Sequence, residues 1–220
     1  MIDLVPLGDR AFLARFATEP EARAWAAAVR AQAWTGVVDI VLAYRSAAVF
    51  ADPERCDLDA LEHELRAIAP EPDASRSGRL VVLPVLYDGE DLPDVAQRLG
   101  RTVEEIIALH AHREYDVFAI GFQPGFPYAG YLPAELSGLA RREVPRVRVP
   151  AGSVAIAGRQ TGVYPAESPG GWHLLGRTPL QIVDVERGHF PIRAGDRLRF
   201  IPIDSAEYRA RQGELLASSS

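Results

Sequence analysis

Gly121-Phe122-Gln123-Pro124-Gly125-Phe126-Pro127-Tyr128 opens the part of the chain whose reading decides the fold. From Gly121 to Thr178 lie ten of the 18 glycines and seven of the 17 prolines. Glycine lets backbone turn at positive φ or approach a neighbour closely, and proline fixes the flanking torsions. Alternating apolar segments at residues 154–157, 180–185 and 197–203 predict short strands, so the region reads as a β-barrel or sandwich with tight corners. The same stretch carries Gln160, Thr161, Tyr164, Ser168, Trp172, His173 and Arg177. Polar and aromatic side chains on rigid, irregular loops are where sites usually sit, although barrel corners account for such glycine clusters equally well.

Working back toward the amino terminus, the pattern changes. Residues 3–7 and 11–16 are short apolar segments around Gly8-Asp9, the pattern of a hairpin. Thr18 and Glu21 form a capping-box pair, and the helix they open places Ala22, Trp25, Ala26 and Val29 on one face. Two apolar runs follow at 37–43 and 47–51, then Leu58, Leu61, Leu65 and Ile68 recur at helical spacing. Residues 70–78 are rich in breakers and lack periodicity, which predicts a linker. Beyond it come a strand at 80–86, a helix marked by Leu92, Val95 and Leu99, and a second helix capped by Thr102 and Glu105 that runs to about His110. The expected organisation is α+β: a small N-terminal α/β domain at residues 1–72 and a β-rich domain at 79–213.

The 220 residues are 48% hydrophobic and 25% charged, with a net charge of -6. That composition suits a globular protein and offers no field for gathering nucleic acid or coating an anionic membrane. A lone Cys56 forms no intramolecular disulfide, and no apolar stretch is long enough to span a bilayer, so the expected location is the cytoplasm. All 24 basic residues are arginine. The absence of lysine excludes a Gly-x-x-x-x-Gly-Lys phosphate loop, a lysine Schiff base and a biotinyl-lysine.

Further blocks complete the pattern opened at Gly121. Val144-Pro145-Arg146-Val147-Arg148-Val149-Pro150-Ala151-Gly152-Ser153-Val154-Ala155-Ile156 is followed by Gln160-Thr161-Gly162-Val163-Tyr164-Pro165, Ser168-Pro169-Gly170-Gly171-Trp172 and Gly176-Arg177-Thr178-Pro179. This order resembles the family that includes the B subunit of 5-oxoprolinase, allophanate hydrolase subunit 1 and an inhibitor of a sporulation histidine kinase. The resemblance implies a small α/β domain followed by a cyclophilin-like β-barrel. It implies one component, inactive alone, of an ATP-dependent amide hydrolase that opens 5-oxo-L-proline to L-glutamate. Its implied partners are the A subunit and a C subunit of the allophanate hydrolase subunit 2 type. ATP is then shared with those partners, and no tightly bound cofactor is expected. An allophanate hydrolase or urea carboxylase type of subunit is the alternative, as is a non-catalytic inhibitor of a sensor kinase.

Candidate residues follow from the chemistry that such a reaction needs. Arg177 is the first choice for an anion contact, since a guanidinium fork holds a carboxylate or phosphate through two bonds; pairing with a nearby acid is the plainer alternative. His110 is a candidate acid/base, but it falls on the apolar face set by Val103, Ile106 and Ile107, where a satisfied core histidine is commoner. Gln160, Thr161, Tyr164 and Ser168 offer amide and hydroxyl groups to orient substrate, and Phe126 and Trp172 offer an apolar wall. His112, His173 and His189 lack metal-ligand spacing, so no metal is expected. Residues 95–110 resemble a helix-turn-helix, yet Glu104 and Glu105 would open its recognition helix against phosphates, which disfavours nucleic acid.

Overall fold

A computed structural model describes residues 2–69 and 78–217, which divide into two compact units at Gly78 and Arg79. Of the expected linker, residues 70–77 lie outside the described residues.

The first unit is a four-stranded antiparallel sheet with two helices. Strands β1 (Asp3–Pro6), β2 (Ala11–Arg15), β3 (Val37–Ala43) and β4 (Ser46–Ala51) lie in the order β1-β2-β4-β3. Helix α1 (Glu19–Gln32) starts where the Thr18 hydroxyl accepts from the Glu21 N–H, and Pro20 sits in its first turn, where no backbone donor is needed. Its buried face is the predicted one, with Trp25 fully enclosed. Helix α2 (Leu58–Ala67) is capped by Asp57 and buries Leu61 and Leu65.

The second unit is a nearly closed barrel. Its strands are β5 (Leu80–Val85), β6 (Glu114–Ile120), β7 (Pro127–Gly130), β9 (Ser153–Ala157), β10 (Gln160–Val163), β12 (His173–Arg177) and β13 (Arg197–Pro202). They run in the order β12-β9-β10-β7-β6-β13-β5, antiparallel except for the β13–β5 pair. The two edges meet across a short seam: Leu86 and Arg177 exchange backbone hydrogen bonds of 2.9 Å, and the Gly89 and Asp91 N–H groups donate to Leu175 and Leu174. Closing the seam removes most of the exposed sheet edge. A separate ribbon of β8 (Arg146–Val149) and β11 (Ser168–Gly170) stands apart from this sheet. The α+β architecture with a barrel is the one read from the sequence.

Helices α3 (Leu92–Arg98) and α4 (Val103–His110) pack on the barrel, burying Leu92, Val95, Ala96, Ile106 and His110. The capping box is complete: Thr102 accepts from the Glu105 N–H, and the Glu105 carboxylate accepts from the Thr102 N–H. A last helix, α5 (Ser205–Ala210), carries no signal that the sequence reading registers.

One expected strand is different. Residues 180–185 make only single bridges, Gln181 with Leu215 and Asp184 with His189. Their apolar alternation serves burial, since Leu180, Ile182 and Val183 face the core while Gln181 is tied to Glu214 and Leu216. Leu216 lies three residues past the expected end of the domain. No helix among the described residues is long and apolar enough to cross a membrane.

The seam depends on Gly176, where a Cβ would stand 2.4 Å from the Leu86 carbonyl oxygen and 2.9 Å from the Tyr87 Cα. Gly176→Ala is therefore expected to cost about 1–3 kcal/mol through overpacking. Chemical denaturation of both forms tests this, and equal midpoints would show that the seam is loose.

Candidate functional site

The wall formed by β9 and β10 has chemistry on both sides. Val154 and Ile156 point into the main barrel core, whereas Ala155 and Ala157 join a second, smaller cluster. This alternation is the ordinary period of a strand.

On the barrel side lies His110, fully buried and stacked 4.6 Å from Phe200 and 5.5 Å from Tyr115. Its Nε2 is 2.8 Å from Thr161 Oγ1, and that hydroxyl donates to the Ala155 carbonyl. With its proton committed, Thr161 accepts from His110 Nε2–H. Nδ1 is then the acceptor for the Tyr87 hydroxyl, 2.7 Å away. The geometry thus selects one neutral tautomer and one direction for the whole chain of bonds. Burial pushes the His110 pKa down to about 3.

The other side is an aromatic box. Phe126, Tyr164 and Trp172 are buried, with Phe126 edge-on to Tyr164 at 5.2 Å and to Trp172 at 5.4 Å. Such edge-to-face pairs are favoured by ring quadrupoles. Half-buried Tyr128 closes against Phe126 and Trp172, and Phe122, 60% exposed, reaches the rim. Gly170 passes directly over Tyr164, since a Cβ there would stand 2.3 Å from its hydroxyl. Burial raises the Tyr164 pKa, against the opposing effects of the Trp172 backbone N–H and of Arg141 and Arg146, so the phenol stays protonated.

Above the box runs the β8–β11 ribbon. Arg146 pairs with Gly170 across it and Val149 with Ser168, with a shift of register between the two pairs. Arg146 donates through Nη2 to Asp91 Oδ1 at 2.7 Å and through Nε to Glu90 at 2.5 Å; Arg142 donates to the same Asp91 oxygen at 2.8 Å. Asp91 Oδ2 accepts from the Leu174 N–H at 2.7 Å. Burial alone would raise the pKa of Asp91, but the Arg146 and Leu174 hydrogen bonds and the charges of both arginines bring it below the usual carboxylate range. Arg146 Nη1, Arg142 Nε and Ser168 Oγ are enclosed without a protein acceptor or donor. A buried polar group left unpaired costs about 1–3 kcal/mol.

The expected residues thus separate into four places. Phe126, Tyr164, Ser168 and Trp172 come together at the box. His110 and Thr161 meet on the far side of the wall. Arg177 forks onto Asp88 at 2.7–3.2 Å and lies 4.7 Å over the Tyr208 ring, at the seam. Gln160, half-buried, opens β10 opposite Gly130. Sequence reasoning passed over Arg142, Arg146 and Asp91. Arg146 belongs to the block at residues 144–156, whereas Asp91 stands just before α3, where its side chain makes no cap hydrogen bond and turns instead to the two arginines. Among the described residues, no group of three His, Cys, Asp or Glu is placed to hold a metal ion.

The buried His110 makes stability depend on pH with a definite sign. Its folded pKa lies below the ordinary 6.5, so its contribution is complete above pH 6.5 and is lost as pH falls toward 3. The loss approaches about 1.4 kcal/mol for each pH unit in that window. Urea unfolding between pH 7 and pH 4 checks it: His110→Gln, which takes up no proton, should show the shallower decline. Parallel declines would mean that His110 is not shielded as described.

A family model described as "Carboxyltransferase domain, subdomain C and D" matches residues 2–192. The chain is 41% identical over 191 residues to a protein of Escherichia coli O157:H7 named as the B subunit of 5-oxoprolinase, covering 82% of this chain and 84% of that one. A Bacillus subtilis (strain 168) protein of the same name is 36% identical over 232 residues, covering 94% and 95%. The crystal structure of TTHA0988 superposes with a TM-score of 0.79 at 41% identity over 89% of this chain, which spans only 40% of that longer chain. The Kluyveromyces lactis urea carboxylase, at 16% identity and a TM-score of 0.64 over 95% of this chain and 22% of its own, shares the fold. On these matches the chain belongs to the carboxyltransferase subdomain C and D family, among relatives named as the B subunit of 5-oxoprolinase.

Proposed function

We propose that this chain is the B-type component of an ATP-dependent 5-oxoprolinase, which opens 5-oxo-L-proline to L-glutamate together with A and C subunits. The name carried by its relatives supports a hydrolase component. The observation that carries the site is the box of Phe126, Tyr164 and Trp172, roofed by Ser168 and a pair of guanidiniums. An apolar wall with a few convergent donors suits a small cyclic amide.

Roles divide accordingly. Phe126 and Trp172 pack against the substrate ring, while the protonated Tyr164 and Ser168 direct hydroxyl groups at its polar edge. His110 and Thr161 hold the wall behind the box, and Arg177 with Asp88 braces the seam. An unactivated lactam is inert, and ATP consumption in the complete assembly supplies the activation of its carbonyl oxygen. This chain has no lysine, and the guanidiniums nearest the box are already engaged by Asp91 and Glu90. Most nucleotide contacts therefore fall to the partners.

Reconstitution tests the reading. The chain mixed with A and C subunits should show 5-oxoproline-dependent ATP hydrolysis and glutamate formation, and the chain alone should show neither. Robust turnover by the isolated chain would overturn its assignment as one part of an assembly, and ammonia release from allophanate in place of glutamate formation would overturn the substrate.

A further inference from the structure

The sheet of the first unit is apolar on both faces. Leu4, Ala14, Ala47 and Leu42 pair in one row across β1, β2, β4 and β3, and all four are buried. Val5, Leu13, Ala48 and Val41 form the adjacent row, which points to the opposite face. There Val5 and Leu13 are only half-buried, and Val41 is 42% exposed. The two helices of this unit therefore lie over the first face and leave the second bare. An antiparallel sheet with one face in water ordinarily alternates apolar with polar residues. The runs Val37-Val38-Asp39-Ile40-Val41-Leu42-Ala43 and Ser46-Ala47-Ala48-Val49-Phe50-Ala51 do not, and read as strands built to be covered on both sides.

Shape and charge narrow what covers the bare face. Ser46 and Ala48 are small, and Ala48 pairs with the larger Leu13 and Val41 on either side, so a trough runs along β4 toward Phe50. With strands about 4.8 Å apart, such a trough seats a helix about 10 Å across. At its Phe50 end a cavity of about 450 Å³ opens between Arg10, Val38, Asp52 and Glu54. Arg10 has Asp9 at 3.8 Å, so three carboxylates stand there against one guanidinium. At the far end Arg15 and Asp3 pair with each other at 3.4 Å. Residues 2–69 hold eleven acids and seven arginines, which sets two copies of this face against each other by charge. A partner that is apolar on one side and cationic toward Phe50 matches on both counts.

We propose that the bare face of the first unit's sheet is a docking surface for a basic amphipathic helix of another protein. Its apolar side lies over Leu13, Ala48 and Val41, and its cations lie over Asp52 and Glu54. A helix laid on a sheet is an ordinary second cover, and a helix in an apolar groove is an ordinary mode of recognition. Neither the aromatic box nor the proposed reaction bears on this surface.

The full chain is to be titrated with a synthetic helix of about 18 residues, leucine on one side and lysine on the other, long enough to span the strands. Two reference peptides carry glutamate in place of lysine, or the basic composition in a scrambled order without an apolar side. Saturable binding at least about tenfold tighter than either reference is expected, with amide NMR shifts centred on Leu13, Ala48 and Val41. Val41→Glu should weaken it at least about tenfold by setting a carboxylate against the leucines. Glu54→Arg alters an exposed side chain away from the core; it should weaken the basic helix and strengthen the acidic one, whatever Val41→Glu does to folding. Val144→Glu, at a position 77% exposed on the second unit, should bind as the parent does. Failure to bind, equal affinity for all three peptides, or unaltered binding in both Val41→Glu and Glu54→Arg would overturn the surface. A concentration-dependent dimer in sedimentation, abolished by Val41→Glu, would give the face to a second copy and overturn the partner.

Discussion

Asp91 accepts three hydrogen bonds at once, two on Oδ1 from the guanidiniums of Arg142 and Arg146 and one on Oδ2 from the Leu174 N–H. Through the first two it holds the ribbon. Through the third it fixes the edge strand of the barrel beside the start of α3. A carboxylate with 3% exposure is tolerable only because its lone pairs are filled by charged or backbone donors. Seam, ribbon and helix start therefore share one anchor, and the aromatic box inherits its roof from it.

The wall between the two clusters matters as much. Strands β9 and β10 alternate, so one residue serves the barrel core and the next serves the box. Thr161 shows how the two sides are joined: it accepts from His110 and donates to the backbone of β9, tying α4, β10 and β9 together. Every polar group in that chain has a partner, which is the condition under which a buried network rigidifies its surroundings. The opposite side is built differently, because its aromatic rings are complete while its roof keeps donors in reserve.

Local signals in the sequence were legible. The Thr102–Glu105 capping box, the buried face of α1 and the apolar placement of His110 each depend on residues within a turn or two of one another. Long-range pairings were not. Arg177 meets Asp88 from 89 residues away, and Asp91 meets Arg146 across 55. Periodicity carries no information about such partners, so Arg177 stood out as an anion ligand while Arg146 passed as part of a motif. The segment at 180–185 misled for a related reason: alternation reports which side chains are buried, and a ladder is only one way to bury them.

The absence of lysine sharpens what the box is able to do. A guanidinium keeps its proton at any pH at which the protein is folded, so the Arg142–Arg146 pair is a fixed electrostatic frame. His110 is held neutral by burial, and the Tyr164 phenol is pushed away from ionisation. None of these groups exchanges a proton readily near neutrality. Such groups supply fixed charge and fixed hydrogen bonds, but no acid or base that works near neutrality. That chemistry fits the proposed role as one component of a hydrolase, with binding as its share of the work.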